Sequence, residues 1–531
     1  MKEKTIKNIK KMLGKITDYD HSTFDVEKYP TSLKELVKEH PEMLETRSIL
    51  GKRKDNSPFY PPIATMEKSY NFFNHDVYEF GKDNIPEIFE YDGLHSGTPI
   101  RYKAFKPCLD EIRRELKSDK LYWYPGSNAN KVQRQKFVNY LKREGFKNNN
   151  TENGLGIENV VFTCSTSHGY SMILNTIARN EDVILITAPN YGLFATVAEL
   201  TSAHVETVDI YEDDNWYVNK DVLAKRIDEI NKDLKKKYKG KLDYQPKVVA
   251  FLNMNPHNPL GKVMNKKNKE ILEGIGDVCL EKGVFVIDDL IYRDLTYDQN
   301  DLALPMATYD KYFNNTISLF GVSKAFGLAS IRAGVVVAPT PICKALTTEI
   351  EYQMTGYPVV QAACITGAFN GTNKRYKDVK NYLDPIINEY QYRFLLLKAL
   401  VEGINTIKNV DAKNRIIKDL NKYVKDENTK KLLLEGIPNV EIRKGTTPES
   451  GFFAVIDFTK LKGKKYDNNI INTDIDLLKY FFIEGKVKFI MGSNVSWPYE
   501  DEIVGRVTFS LDIDALIMNM IIVNKAVRKL K

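Results

Sequence analysis

Lys324 and Arg332 stand eight positions apart in the stretch 318–336, SLFGVSKAFGLASIRAGVV. The lysine follows Gly321-Val322-Ser323 in a small-residue loop after an apolar run, and the arginine precedes Ala333-Gly334. A lysine amine placed there can condense with an aldehyde, and an arginine that close can hold a dianion. A phosphorylated aldehyde such as pyridoxal phosphate (PLP) fits the pair. Taken alone, Lys324 reads as an exposed Ser-Lys turn before a strand; the rest of the chain changes that reading.

The 531 residues suffice for two or three domains, and 43% hydrophobic with 28% charged residues is ordinary for a globular protein. The net charge of +7 is spread over many lysines. Nucleic-acid binding needs a basic stripe with base-reading side chains, so no nucleic-acid partner is expected. Cys108, Cys164, Cys279, Cys343 and Cys364 form no CxxC pair and no metal spacing; they read as reduced thiols of a cytoplasmic protein. No segment reaches the ~18 apolar residues of a membrane span. The run 515–523 is short and broken by Asn519, and the N-terminus lacks the apolar core of a secretory signal. Ile6, Ile9, Met12, Leu13 and Ile16 recur at helical spacing between lysines, a pattern expected to pack on the protein itself and not on a membrane.

The elements that must position Lys324 follow from periodicity. Residues 1–90 read as an N-terminal extension, with a helical patch at 32–40, a proline-rich link at 58–62 and no helix-turn-helix pattern. From His95 the pattern changes. The stretch 95–99 is a loop, 106–116 and 132–143 are helices, and 122–126 is an aromatic turn. Short apolar runs at 159–162, 182–187, 247–252, 284–287 and 316–320 then alternate with helices. That alternation predicts an α/β fold with a mainly parallel central sheet. In such sheets ligands gather beyond the carboxyl ends of the strands, where the polar motifs of this chain fall. Residues 372–445 read as mostly helical and rich in Lys and Asn, with 410–435 a solvated surface insertion. Strands at 452–456 and 506–510 and a closing helix complete the chain.

Four further motifs accompany Lys324. They are Asn255-Pro-His-Asn-Pro-Leu-Gly261, Asp289-Leu-Ile-Tyr292, Pro189-Asn-Tyr191 and Gly505-Arg-Val-Thr-Phe509. Ser165-Thr166-Ser167 open a predicted helix, where free N–H groups and the dipole favour an anion, although such a cluster is more often an N-cap. Arg332 offers a phosphate a charge-assisted partner. In chain order, from about Gly97 to the C-terminus, these motifs resemble the class I/II aminotransferases, the fold type I PLP-dependent enzymes.

The resemblance implies a large PLP-binding domain at 121–359. A smaller α+β domain is formed by 91–120 and 360–531, with a helical insertion at about 405–445. It makes Lys324 the residue that holds PLP as a Schiff base and shuttles the substrate proton. Asn258 and Tyr292 become partners of the cofactor's phenolic oxygen. Asp289 becomes the carboxylate that keeps the pyridine nitrogen protonated; Asp288 competes, and the three-residue spacing to Tyr292 favours Asp289. Tyr191 is implied to stack on the ring, and Ser165, Thr166, Ser167 and Arg332 to hold the phosphate. The family usually has a serine three residues before the lysine; here Gly321 stands there, and Ser323 is the alternative donor. Tyr124 is implied to reach a phosphate across a dimer interface, which implies a homodimer, although the family's glycine between this tyrosine and Arg134 is here Ala129. Arg506 is implied to grip the substrate α-carboxylate, with Gly97 letting the backbone approach it.

The activity so implied is amino transfer from an α-amino acid to a 2-oxo acid. The stretch NPHNPLGKV resembles both glutamine/kynurenine-type transaminases and C–S β-lyases of this fold, so the same pocket supports a C–S β-lyase. An amino acid decarboxylase ranks lower, since the chain's length is near that of aspartate 4-decarboxylases but this stretch does not resemble theirs. A non-catalytic PLP-binding regulator is the rival of another class; such proteins carry an N-terminal winged helix, and no such pattern is seen here. Arg101, close to the Gly97 loop, is a candidate for a distal substrate carboxylate.

Overall fold

The computed structural model describes residues 93–531 apart from 101, 149–153, 202, 468 and 486. The N-terminal extension and Arg101 therefore lie outside the described residues.

Seven strands form the main sheet: β1 (Val160–Thr163), β2 (Val183–Ala188), β3 (His204–Asp209), β4 (Val248–Met254), β5 (Phe285–Asp289), β6 (Thr316–Gly321) and β7 (Gly334–Val337). Their order is β1-β7-β6-β5-β4-β2-β3. The pairs β2–β3, β2–β4, β4–β5 and β5–β6 are parallel, and β7 runs antiparallel to both β6 and β1. Every residue of β1, β2, β4, β6 and β7 is buried, which is why these runs show no polar alternation. The edge strand β3, HVETVD, has one buried residue, Val208, and no apolar run announces it. The fold agrees with the mainly parallel α/β expectation; β7 is the antiparallel exception. The ends of β1, β2, β4, β5 and β6 carry the Ser165 turn, the Pro189–Tyr191 loop, the turn 255–261, Asp289 and Lys324 to one edge of the sheet, while Arg506 lies on a second sheet.

A second, antiparallel sheet has the order β10-β11-β9-β8, from β8 (Glu441–Ile442), β9 (Phe453–Asp457), β10 (Ile490–Met491) and β11 (Val504–Thr508). β11 begins and ends two residues before the expected 506–510. It stops at Thr508 because that hydroxyl accepts the Ser510 N–H at 3.2 Å and bends the chain.

The 30-residue helix Asn373–Glu402 starts at Thr372, whose hydroxyl accepts the Arg375 N–H. The helices Val410–Tyr423 and Glu427–Glu435 pack on it and on the closing helix Ile513–Lys529. The stretch 410–435 is therefore more than a solvated face. Ile416, Leu420, Val424 and Leu433 are buried in the main core beneath a Lys/Asn-rich exterior. No helix among the described residues is long and apolar enough to cross a membrane. Leu420→Ala should destabilise the protein by about 2–5 kcal/mol in urea unfolding. Lys418→Ala, on the exposed side of the same helix, should stay within about 0.5 kcal/mol. Equal, small effects would mean that the two helices are dispensable to the core.

Candidate active site

Lys324 lies three residues beyond the end of β6. Its Nζ donates to the Gly97 carbonyl at 2.7 Å and sits 5.9 Å from the ring centres of both Tyr292 and Phe452. Burial, with Arg506 and Arg332 adding positive charge, brings the amine down to about 8, while Asp289 pulls it up. An amine so lowered is partly unprotonated near neutral pH and can act as a nucleophile.

Asp289 closes β5 and is buried; its Oδ1 accepts the Ile291 N–H at 3.2 Å. Burial pushes its carboxyl up to about 7, with Asp288 adding to the rise and the Ile291 N–H and Lys324 opposing it. Successive side chains in a strand point to opposite faces, so Asp288 turns away. Its two oxygens accept Asn253 Nδ2 and the Met306 N–H, each at 2.9 Å. Asp289 is thus the carboxyl placed toward Lys324.

The helix Thr166–Ile177 follows β1, and the Ser165 hydroxyl caps it by accepting the His168 N–H at 3.2 Å. Thr166 and Ser167 are half-buried at its first turn. A Cβ on Gly334 would lie 2.6 Å from the Ser165 carbonyl carbon, so only glycine lets β7 approach this turn. Arg332 has a φ of 56° and is exposed; its Nη1 donates to the Ala329 carbonyl at 2.9 Å. Ser323 is buried beside Lys324. At Gly321 a Cβ would meet Ile291 Cδ1 at 2.6 Å and Thr166 Cγ2 at 3.0 Å. A side chain there would need Ile291 and Thr166 to give way.

In the turn after β4, Asn255 bonds Met264 and Leu304 backbone groups and holds the turn's shape. Asn258 is buried and accepts Arg506 Nη1 at 3.4 Å. Tyr292 is buried, its ring 5.7 Å from that of Phe452, and its carbonyl accepts the Ser450 hydroxyl at 3.2 Å. Tyr191 is half-buried, edge-on to Phe194.

Arg506 is central in β11 and 5% exposed. Its Nη2 donates to the His95 carbonyl at 3.0 Å, and its guanidinium lies 4.2 Å over the Phe453 ring centre. Burial, then Lys488 and Arg506, lower the His95 imidazole to about 4. Sequence reasoning gave His95 and Phe453 no role; the SGFF and HSGTP stretches were the available signals. Tyr124 is the predicted site residue that one chain does not bring to the others: it is 88% exposed, beside the exposed Tyr122 and Trp123. Arg134 bonds the Ala129 and Ile157 carbonyls.

A buried acid raised and a half-buried base lowered mark a site made for a ligand with complementary groups. PLP fits: its aldehyde suits the Lys324 amine, its ring nitrogen the Asp289 carboxyl, and its phosphate the helix N-terminus flanked by Arg332.

A family model described as aminotransferase class I and II matches residues 101–457. The chain is 25% identical over 270 residues to aromatic-amino-acid aminotransferase 2 of Thermococcus litoralis, covering 50% of this chain and 62% of that protein. It is 27% identical over 267 residues to an aspartate aminotransferase of Pyrococcus abyssi, covering 49% and 61%. The matches thus span less than two thirds of either relative. The solved structure of an aspartate aminotransferase from Thermus thermophilus with maleate superposes with a TM-score of 0.60 at 14% identity, over 88% of this chain and 96% of that one. At that identity the likeness shows the fold.

In the folded, cofactor-free protein Asp289 keeps its proton up to about pH 7, against a usual value of 3.8. The folded state then binds more protons between those values. The group's contribution to stability is full below about 3.8 and is lost as pH rises toward 7. Asp289→Asn removes that loss. Urea unfolding should show the variant gaining on the wild type by a few kcal/mol from about pH 4 to about pH 8, since each tenfold change in proton affinity corresponds to roughly 1.36 kcal/mol. A pH-independent difference would contradict the burial of an ionisable Asp289.

Proposed function

The chain belongs to the class I and II aminotransferases, and we propose that it moves an amino group from an α-amino acid to a 2-oxo acid with PLP held at Lys324. The observation that carries this reading is the half-buried Lys324 amine, three residues past β6, bonded to the Gly97 carbonyl at 2.7 Å and close enough to Asp289 and Arg506 for both to shift it. When bound, PLP supplies an aldehyde carbon for the amine and a protonated ring that takes up the electron pair of the broken Cα–H bond.

Asp289 would hold the proton on the ring nitrogen, and burial would make that pairing strong. Asn258 and Tyr292 would hold the phenolic oxygen, and Tyr191 would cover the ring. The turn Ser165, Thr166, Ser167, with Ser323 and Arg332, takes the phosphate. Arg506, fixed between Asn258 and Phe453, receives the α-carboxylate in a two-pronged grip, with the Gly97 backbone beside it. Each charged bond of that kind contributes roughly 1.5–3 kcal/mol. With the carboxylate held and the substrate's amine in place of its own on the aldehyde carbon, the freed Lys324 Nζ would take the α-carbon proton as the base and give it back as the acid.

The active unit in this reading is a homodimer. Tyr122, Trp123 and Tyr124 are 87%, 76% and 88% exposed, an apolar ledge that a second copy would cover, carrying Tyr124 to the partner's phosphate. The second sheet and its helices, with 91–120, form the smaller domain, and 121–359 the larger. Five unpaired thiols suit a cytoplasmic setting.

Borohydride reduction of the PLP-loaded protein should fix the pyridoxyl group on Lys324 in peptide mapping; a label on another lysine refutes the assignment. Arg506→Ala should keep that bond yet lose about a hundredfold or more in kcat/KM for amino acids, because removing a buried charged partner costs roughly 3–5 kcal/mol. Amines without a carboxylate should be far less affected. Loss of PLP, or unchanged turnover, would place the carboxylate seat elsewhere.

A further inference from the structure

His257 stands beside Asn258 and has no task in the chemistry just described. We propose that His257 is a positioning residue, a clamp that ties the turn bearing Asn258 to the loop bearing Tyr191 and so sets the two sides of the cofactor slot. The proposal rests on the aminotransferase reading, which makes that slot the PLP site.

The two segments leave neighbouring strands. β2 and β4 pair in parallel, so Pro189–Tyr191 and the turn 255–263 emerge side by side. His257 Nε2 lies 3.0 Å from the hydroxyl of Thr187, near the end of β2. That hydroxyl donates to the Pro189 carbonyl at 2.8 Å. A hydroxyl has one proton and a carbonyl can only accept, so the Thr187 proton goes to Pro189. The imidazole must then donate from Nε2, which fixes its tautomer. Nδ1 is left with a lone pair, buried and without a hydrogen-bond partner among the described residues. The opposite tautomer would bury an N–H without an acceptor and set two lone pairs against each other.

The imidazole is also held in place from its own backbone. The His257 N–H donates to the Lys262 carbonyl at 2.9 Å, and its carbonyl accepts the Gly261 N–H at 2.7 Å. Gly261 has a φ of 68°, and a Cβ there would lie 2.9 Å from Pro448 Cα, so the turn is closed from outside as well. On the other side, the Thr187 carbonyl accepts Asn190 Nδ2 at 3.0 Å. Thr187 thus reaches the two residues before Tyr191 by two bonds, and His257 reaches Thr187 by one. The linkage runs Asn258, His257, Thr187, Pro189 and Asn190, Tyr191.

Burial lowers the imidazole to about 3, with the Pro189 carbonyl opposing, so the ring is neutral near neutral pH.

The test compares His257→Phe, which keeps a ring and removes the donor, with His257→Gln, whose amide N–H reaches a comparable distance, and with Thr187→Val and the double variant His257→Phe, Thr187→Val. The readouts are the PLP dissociation constant, the visible circular dichroism of the bound cofactor, and the melting temperature of the cofactor-free protein. His257→Phe should weaken PLP binding about tenfold, the cost of one hydrogen bond, and diminish the dichroic band. His257→Gln should restore both to within about twofold. Thr187→Val should match His257→Phe, and the double variant should be no worse than either, because the three share one bond. If wild type takes up PLP and His257→Phe binds it unchanged, the clamp is overturned and the activity reading stands. It is likewise overturned if Gln and Phe fail alike while lowering the cofactor-free melting temperature equally. If wild type takes up no PLP at Lys324, both readings fall.

Discussion

An ammonium group moved out of water loses more solvation than an ordinary hydrogen bond returns. The Lys324 amine is in that position, and Arg506 and Arg332 add to the cost. Two neighbours moderate it: the Gly97 carbonyl at 2.7 Å and the negative charge of Asp289. Asp289 is itself buried and raised, so acid and base each hold the other partway between charged and neutral. A ligand that takes the amine into a covalent bond and sets a cationic ring against the carboxyl relieves both strains at once. The site's affinity for such a ligand is in that sense stored in the burial of two side chains.

That burial requires two sheets to meet. The main sheet delivers Lys324, Asp289, Asn258, Tyr191 and the Ser165 turn from the ends of its parallel strands. The second sheet delivers Arg506 and Phe453, and the bonds between the sheets fall on the motifs themselves. The Glu449 N–H donates to the Gly261 carbonyl at 3.0 Å, the Asn190 N–H to the Val495 carbonyl at 2.7 Å, and Ser450 bonds the Tyr292 carbonyl. Farther out, Arg443 bridges Glu212 at 2.7 Å and Glu502 at 2.8 Å. A shift of the second sheet would therefore disturb the surroundings of Lys324 and Arg506 together.

Much of this was legible in the chain because burial leaves a mark on composition. The unalternating runs gave five of the seven strands, and the motifs stood at their ends. β3 was hidden by its exposed edge, and β7, no shorter than β1, entered only as the strand after the Ser-Lys turn. Asp288 and Asp289 could be told apart only by spacing; the strand's alternation separates them physically. The Arg506–His95 bond joins residues 411 positions apart, beyond any local pattern. The close approach of Ile291 to Gly321 is likewise seen only in the fold. In the helix Val410–Tyr423, Ile416 and Leu420 did carry the i, i+4 signal of a buried stripe, masked by the lysines and asparagines around them.

Whether these residues transfer an amino group, and not merely activate an amino acid, is decided by the half-reaction. PLP-loaded protein mixed with an amino acid and no acceptor should release one equivalent of 2-oxo acid per active site and then stop. Adding 2-oxoglutarate or pyruvate should restart it. Continuous turnover without an acceptor, with release of ammonia or carbon dioxide, would contradict amino transfer, as would the absence of any 2-oxo acid across the amino acids tested.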